Sequence, residues 1–132
     1  MEREVPEPRQ DWPEKIRREF EAGVSNGRVG TRLVSETDRL RVWSIKLSPG
    51  ERLPFHRHVL DYFWTAVTAG RARSHMGDGS TVEATYKEGD TRHFVYGPGE
   101  YKIHDLENIG ENELIFTTVE MKTGVNEPLP LS

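Results

Sequence analysis

The sequence predicts an all-β domain preceded by one short helix. Residues 39–47 alternate polar and apolar side chains, which is typical of a strand with one buried face. More short strand-like runs follow at 55–59, 61–68, 82–87, 91–96, 101–107 and 113–121. Glycine-containing turns separate many of these runs, as at 77–80 and 97–99. Many short strands between such turns indicate a sandwich or barrel of antiparallel strands.

The short helix is predicted to begin near residue 13. Asp11 can cap its first turn, Glu14 can reach back to the cap, and Pro13 suits a turn whose amides have no intrahelical acceptor. Gly23 is the expected stop. An apolar stripe with a spacing of four residues is formed by Trp12, Ile16 and Phe20. We expect this stripe to pack on the body of the fold or on a partner subunit.

The length of 132 residues fits one domain. We expect an N-terminal arm and short helix over 1–27, the β-barrel over 28–122 and a C-terminal tail over 123–132. The tail, rich in proline and polar residues, is expected to be loose or to form a strap over a neighbour. Apolar residues make up only 34% of the chain, so the core is small and a homodimer that shares apolar surface is favoured.

Composition excludes several classes of function. The net charge of −4 gives no field that attracts nucleic acid or anionic lipid. With no cysteine, disulfides, thiolate nucleophiles and iron–sulfur clusters are excluded, and any metal must bind His, Asp, Glu or backbone oxygen. No apolar run is long enough to span a membrane. The charged, proline-bearing N-terminus does not resemble a signal peptide, so the cytoplasm is the expected location.

The pattern His56-Arg57-His58 is the main chemical signal. In a strand, residues two apart point to the same face, so the two imidazoles converge and Arg57 faces away. Such a pair can supply two neighbouring ligands to a metal ion. An isolated His-x-His is more often a surface or hydrogen-bonded pair than a metal site. The surrounding sequence is therefore needed to distinguish the two.

That surrounding sequence resembles the cupin superfamily. The first motif is matched by Gly50, five residues, His56-x-His58 and then Gly70; the second is matched by Gly89 and by His104-x-x-x-Asn108-x-Gly110. The resemblance implies a cupin-type barrel, also called a double-stranded β-helix or jelly roll. It also implies a divalent transition metal held by His56, His58 and His104. Residues 56–62 are similar to small single-domain cupins named for β-alanine degradation.

The glutamate ligand of the cupin motif is absent. If the strand continues regularly from His58, then Tyr62 shares the histidine face and Asp61 points away. If the register is set from Gly70, a bulge turns Phe63 and Asp61 inward. Asp61 is therefore a fourth-ligand candidate or a neighbouring carboxylate that orients a ligating histidine. The spacing of the second motif also departs around Pro98, so His104 as a ligand rests mainly on the following Asn108 and Gly110.

Other polar residues are candidates for a role in the cavity. His93 can line the barrel mouth as an acid/base group, although a solvated histidine is the more common reading. Tyr62 is the second catalytic candidate, and His75, beside a turn, is expected to be exposed. One strand-borne cation turned inward would suit a carboxylate ligand, and the candidates are Arg57, Arg71, Arg73, Arg92 and Lys102.

These residues lead to two hypotheses from different classes. The first is a metal-dependent enzyme acting on a small polar organic acid. For this enzyme oxygenation is the leading reaction class, isomerisation or lyase chemistry comes next, and iron is favoured over manganese, nickel or zinc. The second is a non-catalytic barrel that binds or senses a small molecule through its histidines, without a required metal. A structural or storage role ranks lowest, because the histidine pair sits at the ligand positions of the cupin motif. Fold alone does not choose among these functions, because cupins host many of them.

Overall fold

The computed structural model describes residues 12–131, and within this range it contains one helix and nine strands. Helix α1 spans Glu14–Gly23. The strands are β1 (Arg32–Glu36), β2 (Leu40–Leu47), β3 (Arg52–His58), β4 (Asp61–Ala66), β5 (Gly70–His75), β6 (Thr81–Tyr86), β7 (Thr91–Phe94), β8 (Lys102–Asn108) and β9 (Leu114–Met121). None of the helices in this range is long and apolar enough to cross a membrane.

The strands form two antiparallel sheets, which confirms the all-β prediction. One sheet has the order β1-β2-β9-β4-β7 and the other the order β3-β8-β5-β6. Strand β9 shows why the sheets pack together: its burial alternates at every residue, so that Leu114, Phe116, Thr118 and Glu120 face the interior. The two sheets therefore enclose a common interior, lined by alternate residues of their strands.

The main apolar cluster lies at one end of this interior. It contains Ile45, Leu47, Leu53, Ala66, Ala72, Leu106, Leu114 and Phe116, from strands of both sheets. Burying a side chain such as Leu114 contributes on the order of 2 kcal/mol. We call this cluster the apolar floor, because several of its members form the bottom of the cavity described below.

Helix α1 packs on the outer face of the four-stranded sheet, as one of the two predicted alternatives. Its apolar stripe contributes Trp12 and Phe20, which join Phe55 and Ile103 of the sheet in a second cluster. Gly23 makes the close approach possible, because a Cβ atom there would lie 2.4 Å from the Cβ of Phe55. The predicted cap Asp11 lies outside the described residues.

In the first turn of α1, Glu14 bonds forward to Arg18, and Pro13 takes the N-cap position. The carboxylate of Glu14 accepts a hydrogen bond from Arg18 at 2.8 Å. Pro13 occupies the N-cap position, with no side-chain capping bond, and its carbonyl accepts from the backbone amides of Ile16 and Arg17. The helix is therefore held mainly by its apolar stripe, since isolated helices of this length are marginal in water.

A bulge in β3 decides which residues reach the interior. The pairing of β3 with β8 shifts register between Leu53 and His56. Without a bulge, Leu53 would face the opposite side from His56 and His58, because it lies an odd number of residues away. Because of the shift all three face inward, while Phe55 faces α1. One short strand thereby serves the cavity on one face and the helix on the other.

Two strands were not among the predicted runs. Strand β1 has four exposed residues out of five, so it carries no alternating apolar signal. Strand β5 begins at Gly70, and only Ala72 is fully buried. Both form because neighbouring strands supply their hydrogen-bond partners, β2 for β1 and β6 and β8 for β5.

The C-terminal segment packs against the barrel of its own chain. The side-chain amide of Asn126 donates to the carbonyls of Val59 and Gly97, at 2.9 and 3.0 Å. Its Oδ1 accepts from the amide of Gly99 at 2.9 Å. Asn126 thus ties the segment to two loops of its own chain, which differs from the loose tail that was one of our two expectations. The other, a strap over a neighbour, stays a prediction.

Candidate metal centre

Three histidines converge in the interior. One ring nitrogen from each of His56, His58 and His104 lies within 4.8 Å of the others. His56 and His104 are directly opposite on β3 and β8, and His58 follows two residues after His56 on the same face. The fold therefore brings together the three residues that the sequence predicted as ligands.

The hydrogen bonds of His56 define its ligating atom. Its Nδ1 lies 2.8 Å from the carbonyl oxygen of Pro54, which can only accept, so Nδ1 carries the proton. The lone pair is then on Nε2. Burial lowers the pKa of His56 to about 4, and burial with the neighbouring imidazoles lowers the pKa of His58 well below its ordinary value. The pKa of His104 is also well below its ordinary value, mainly through burial. All three rings are therefore neutral near pH 7, the form that binds metal.

The spacing of two imidazoles fits a transition-metal ion. Nε2 of His58 lies 3.1 Å from Nε2 of His104. Two lone pairs at this distance repel each other unless a proton or a cation lies between them. Metal–imidazole bonds of about 2.0–2.1 Å place neighbouring ligand nitrogens about 3 Å apart. The pair therefore suits either a shared proton or a bound divalent metal.

His58 is oriented by stacking on Tyr62. Its Nδ1 is buried and has no hydrogen-bond partner within residues 12–131. Its ring instead stacks on Tyr62, with centroids 4.1 Å apart and planes 13° apart. Tyr62 in turn stacks on Phe94 at 4.7 Å. This aromatic row replaces the hydrogen bond that usually fixes the ring of a ligating histidine.

Tyr62 also contacts a partly buried lysine. The Nζ of Lys102 donates to the Tyr62 hydroxyl and lies 3.8 Å from the centroid of Phe94. Burial lowers the pKa of Lys102 to about 7 and raises the pKa of Tyr62 well above its ordinary value. Tyr62 is therefore a neutral phenol that lies against a ligand candidate.

The histidines line a cavity of about 290 Å³ between the sheets. Its deeper wall includes the floor residues Ile45, Leu53, Leu106 and Phe116. The exposed lining residues are Val82 on β6 and Arg92 on β7, so the cavity opens between these two edge strands. Lys102 and Arg92 line it, and no Asp or Glu of the described chain does.

Two predicted site residues lie elsewhere. Asp61 is at the start of β4, where its Oδ1 accepts from the Tyr96 amide at 2.8 Å, and it is not a member of the histidine cluster. The chain leaves β3 at His58 and enters the other sheet at Asp61, so no single strand register connects the two residues. In β4, Tyr62 is buried and lines the cavity, whereas Asp61 does not. His93 is exposed on β7, its ring lies 5.2 Å from Phe63, and it does not line the cavity. The alternation of β7 explains this, because Arg92 and Phe94 face the cavity on either side of it.

The remaining candidates lie on outer faces. Arg57 stacks over Tyr101 at 4.3 Å, and Arg71 and Arg73 form ion pairs with Glu83. His75, which we expected to be exposed, has its Nδ1 2.9 Å from the fully buried carboxylate of Asp105. These groups therefore belong to the outer surface of the four-stranded sheet.

Asp105 was missed by the sequence analysis. It follows His104 on β8 and faces α1, where it also accepts from Arg52 and from the His75 amide. The guanidinium of Arg52 also donates two hydrogen bonds, 3.0 and 2.7 Å long, to the carboxylate of Glu19 on the helix. This network ties the back of the ligand strand to α1.

Glu120 was also missed. It is 2% exposed, faces inward on β9 and accepts a 2.7 Å hydrogen bond from the indole of Trp43. Burial raises its pKa to about 7. The alternation at 114, 116, 118 and 120 was the available signal, since it places a carboxylate on the apolar face of β9.

Asn108 has a structural role. Its amide donates to the carbonyls of Leu47 and Asn112, at 2.9 and 2.8 Å, and its Oδ1 accepts from the Gly110 amide at 2.9 Å. It therefore joins β8, the end of β2 and the following turn. Asn108 and Gly110, the residues that suggested His104 as a ligand, thus stabilise the end of the strand that carries His104.

Comparison with solved structures shows the cupin fold. A cupin domain from Bordetella pertussis is 23% identical, with a TM-score of 0.61, covering 70% of this chain and 91% of that chain. A Klebsiella pneumoniae protein with a double-stranded β-helix domain is 28% identical, with a TM-score of 0.53 and coverage of 67% and 68%. A cupin family protein from Methanocaldococcus jannaschii is 20% identical, with a TM-score of 0.53 and coverage of 71% and 84%.

The chain thus has the double-stranded β-helix architecture of cupin proteins, with a histidine cluster in its interior that suits a metal. These likenesses show the fold. No protein-family model and no curated protein matches the chain. The narrower resemblance to cupins named for β-alanine degradation stays a prediction.

Proposed function

We propose that the protein binds one divalent transition metal through Nε2 of His56, His58 and His104. The observation that carries this proposal is the convergence of three neutral imidazoles, two of them with nitrogens 3.1 Å apart. Imidazole donors suit iron, nickel and zinc, and iron is the metal we favour, with manganese as a further alternative. A metal held by three histidines keeps open positions at which it can polarise a substrate or bind dioxygen.

We further propose that the protein is an enzyme acting on a small polar organic acid. The cavity volume of about 290 Å³ suits a small molecule, and its cations Lys102 and Arg92 favour an acid. Tyr62 is the acid/base candidate within the cavity, because its hydroxyl is held by Lys102 while its ring lies against His58. Oxygenation remains the leading reaction class, ahead of isomerisation or lyase chemistry.

Elemental analysis of untagged protein tests the metal centre. We expect stoichiometric metal in the wild type and loss of metal in His56→Ala and His104→Ala. His93→Ala is the matched control, because it removes an exposed imidazole outside the cavity and should leave the metal content unchanged. Persistent absence of metal after reconstitution with iron, manganese, nickel or zinc contradicts the proposal.

Turnover of small acids then tests the reaction class. Dioxygen consumption by the iron-loaded protein with a panel of small carboxylates is the result expected for an oxygenase. Conversion of an acid without dioxygen consumption supports an isomerase or lyase instead. Tyr62→Phe should lower kcat in either case, because it removes the hydroxyl and keeps the stacked ring.

A non-catalytic binding barrel is the second candidate. It is favoured by the missing fourth carboxylate ligand, since Asp61 is bound to the Tyr96 amide instead. In this alternative His58 and His104 share a proton across their 3.1 Å separation and contact the ligand directly. Saturable binding of a small acid by metal-free protein, with no turnover after metal loading, would favour it over the enzyme.

We also propose a homodimer in the cytoplasm. Exposed apolar side chains on the β1–β2 edge, Val34 at 48% and Leu40 at 36%, favour association of two copies. Light scattering after size-exclusion chromatography should give twice the chain mass, and Val34→Glu should shift it to the monomer. A monomeric wild type at all concentrations contradicts the dimer. Cell fractionation tests the location.

A further inference from the structure

The cavity contains two cations that lack carboxylate partners. Within residues 12–131, no Asp or Glu forms an ion pair with Lys102 or Arg92, and none lines the cavity. Two other cations of the described residues are paired: Arg41 with Glu36, and Arg52 with Glu19 and Asp105. Lys102 is partly buried, and a partly buried charge without a partner is costly, so a carboxylate supplied by a ligand is the expected compensation. Arg92 is exposed at the cavity entrance, where it adds further donors.

Both cations lie around one aromatic ring. The Nζ of Lys102 is 3.8 Å and the guanidinium carbon of Arg92 is 5.1 Å from the centroid of Phe94. Both cations also line the same cavity, so a carboxylate bound beside Phe94 would lie near two positive groups. The ammonium has three donors and gives one to Tyr62, and the guanidinium has five, so donors remain for a ligand.

Strand β8 arranges three kinds of side chain in order along the cavity wall. Lys102, His104 and Leu106 alternate on its inward face and all line the cavity. Successive inward residues of a strand are roughly 7 Å apart. The wall therefore runs from a cation through the histidine cluster to the apolar floor, with Arg92 at the entrance beside Lys102.

We propose that the cavity binds a linear monocarboxylate, with its carboxylate between Lys102 and Arg92 and its carbon chain extending across the histidine cluster toward Leu106 and Phe116. This inference rests on the proposed function only for metal binding and turnover at the histidine cluster; the carboxylate subsite does not require either. The carboxylate is held by side chains of the protein, so a metal at the histidine cluster faces carbon atoms of the ligand. The apolar floor excludes a second charged group at the far end of the chain.

Calorimetric titration of chelator-treated protein with butanoate tests the subsite. We expect saturable binding without metal, and binding of butanamide that is weaker by about tenfold or more, because the neutral amide loses the charge-assisted bonds. Succinate should also bind more weakly than butanoate, because its second carboxylate would lie against the apolar floor.

Variants locate the binding. Arg92→Gln and Lys102→Met should each weaken butanoate binding by about tenfold or more. Arg71→Gln removes the same charge from an outer face and should leave binding unchanged. Arg92 is exposed, so its variant is expected to fold even if Lys102→Met does not, and circular dichroism checks both.

Three results overturn the proposal: no saturable butanoate binding by wild-type protein, equal binding of the amide, or unchanged affinity in Arg92→Gln. Succinate binding more tightly than butanoate overturns the orientation. Butanoate binding that requires metal also overturns the subsite, while leaving the proposed metal centre intact. Butanoate binding with the expected variant effects in a protein that never takes up metal supports the carboxylate subsite and contradicts the proposed metal centre.

Discussion

At the scale of single residues, burial sets the chemistry of the cavity. The imidazole of His56 has a pKa of about 4 and the ammonium of Lys102 a pKa of about 7, both because burial disfavours the charged form. The same effect raises the pKa of Glu120 to about 7. His56 is therefore neutral near pH 7, and Lys102 and Glu120 titrate close to it.

Tyr62 should position His58 through its ring rather than its hydroxyl. We expect Tyr62→Leu to weaken metal binding by about 10- to 100-fold, the range for losing a group that orients a metal ligand. Tyr62→Phe keeps the 4.1 Å stack and should bind metal like the wild type. Metal titration with a competing chelator measures both, and equal affinity in the leucine variant would exclude the positioning role.

Glu120 should reduce the stability of the protein at alkaline pH. The native state keeps the proton up to about pH 7, whereas the unfolded chain releases it near the ordinary value of 4.5. Unfolding therefore releases a proton between these values, and the free energy of unfolding falls as pH rises through this window. We expect Glu120→Gln to be more stable than the wild type by about 1–3 kcal/mol above pH ~8 and similar to it near pH ~4.

Urea denaturation at several pH values measures this difference. The glutamine keeps an oxygen that can accept from the Trp43 indole, so the variant tests the charge and not the hydrogen bond. Glu111→Gln, at an exposed position in a turn, is the control and should give a pH-independent difference. A difference between Glu120→Gln and wild type that does not grow with pH would show that Glu120 is ionised without cost.

At the scale of elements, β3 and α1 are built around each other. The bulge between Leu53 and His56 turns Phe55 toward the helix, where Phe20 meets it with ring centroids 5.2 Å apart. Beside this contact, Arg52 of β3 pairs with Glu19 of the helix. The strand that supplies two ligand candidates is thus supported from behind by a short helix that could not be stable alone.

Phe20→Ala should destabilise the protein without removing the metal site. Its side chain is 1% exposed in the cluster under α1, so the loss should cost about 3–5 kcal/mol. Glu14→Ala, which removes an exposed ion pair of the same helix, should change stability by less than about 0.5 kcal/mol. Denaturant unfolding measures both, and a similar small effect in the two variants would mean that α1 does not support the barrel.

At the scale of the whole molecule, the two sheets enclose a cavity that is apolar at one end and cationic at the other. The floor joins residues of both sheets, whereas the entrance lies between the edge strands β6 and β7. Metal bound by the histidines would connect the edge strand β3 with its neighbour β8. Binding at such a position stabilises the fold as a unit, because the unfolded chain does not hold the three rings together.

Metal should therefore raise the melting temperature of the entire domain. At a free metal concentration of 100 times Kd, the gain in unfolding free energy is about 2.7 kcal/mol. Calorimetry should detect a single transition that moves up with zinc or manganese in the wild type and in His93→Ala. The transition of His104→Ala should stay in place, and an equal shift in that variant would locate the metal elsewhere.

Much of the fold could be predicted because alternation is local. The nine residues 39–47 predicted β2, and the apolar stripe predicted α1. Strand β1 could not be predicted in this way, since four of its five residues are exposed and its pairing with β2 makes it a strand. Strand β5 is similar, because cross-strand pairing gives it a form that its own residues do not favour.

The sequence by itself narrowed the donor set to three imidazoles and Asp61 and showed the likeness to cupins, because cysteine is absent and the spacing of His56, His58 and His104 can be read along the chain. Only the tertiary structure decided which other polar groups join them. It turned Tyr62, Lys102 and Arg92 toward the cavity and left Asp61 and His93 outside. The physical reason is strand parity: a one-residue shift exchanges the two faces of a strand, and bulges and pairing partners set that shift from outside the local sequence.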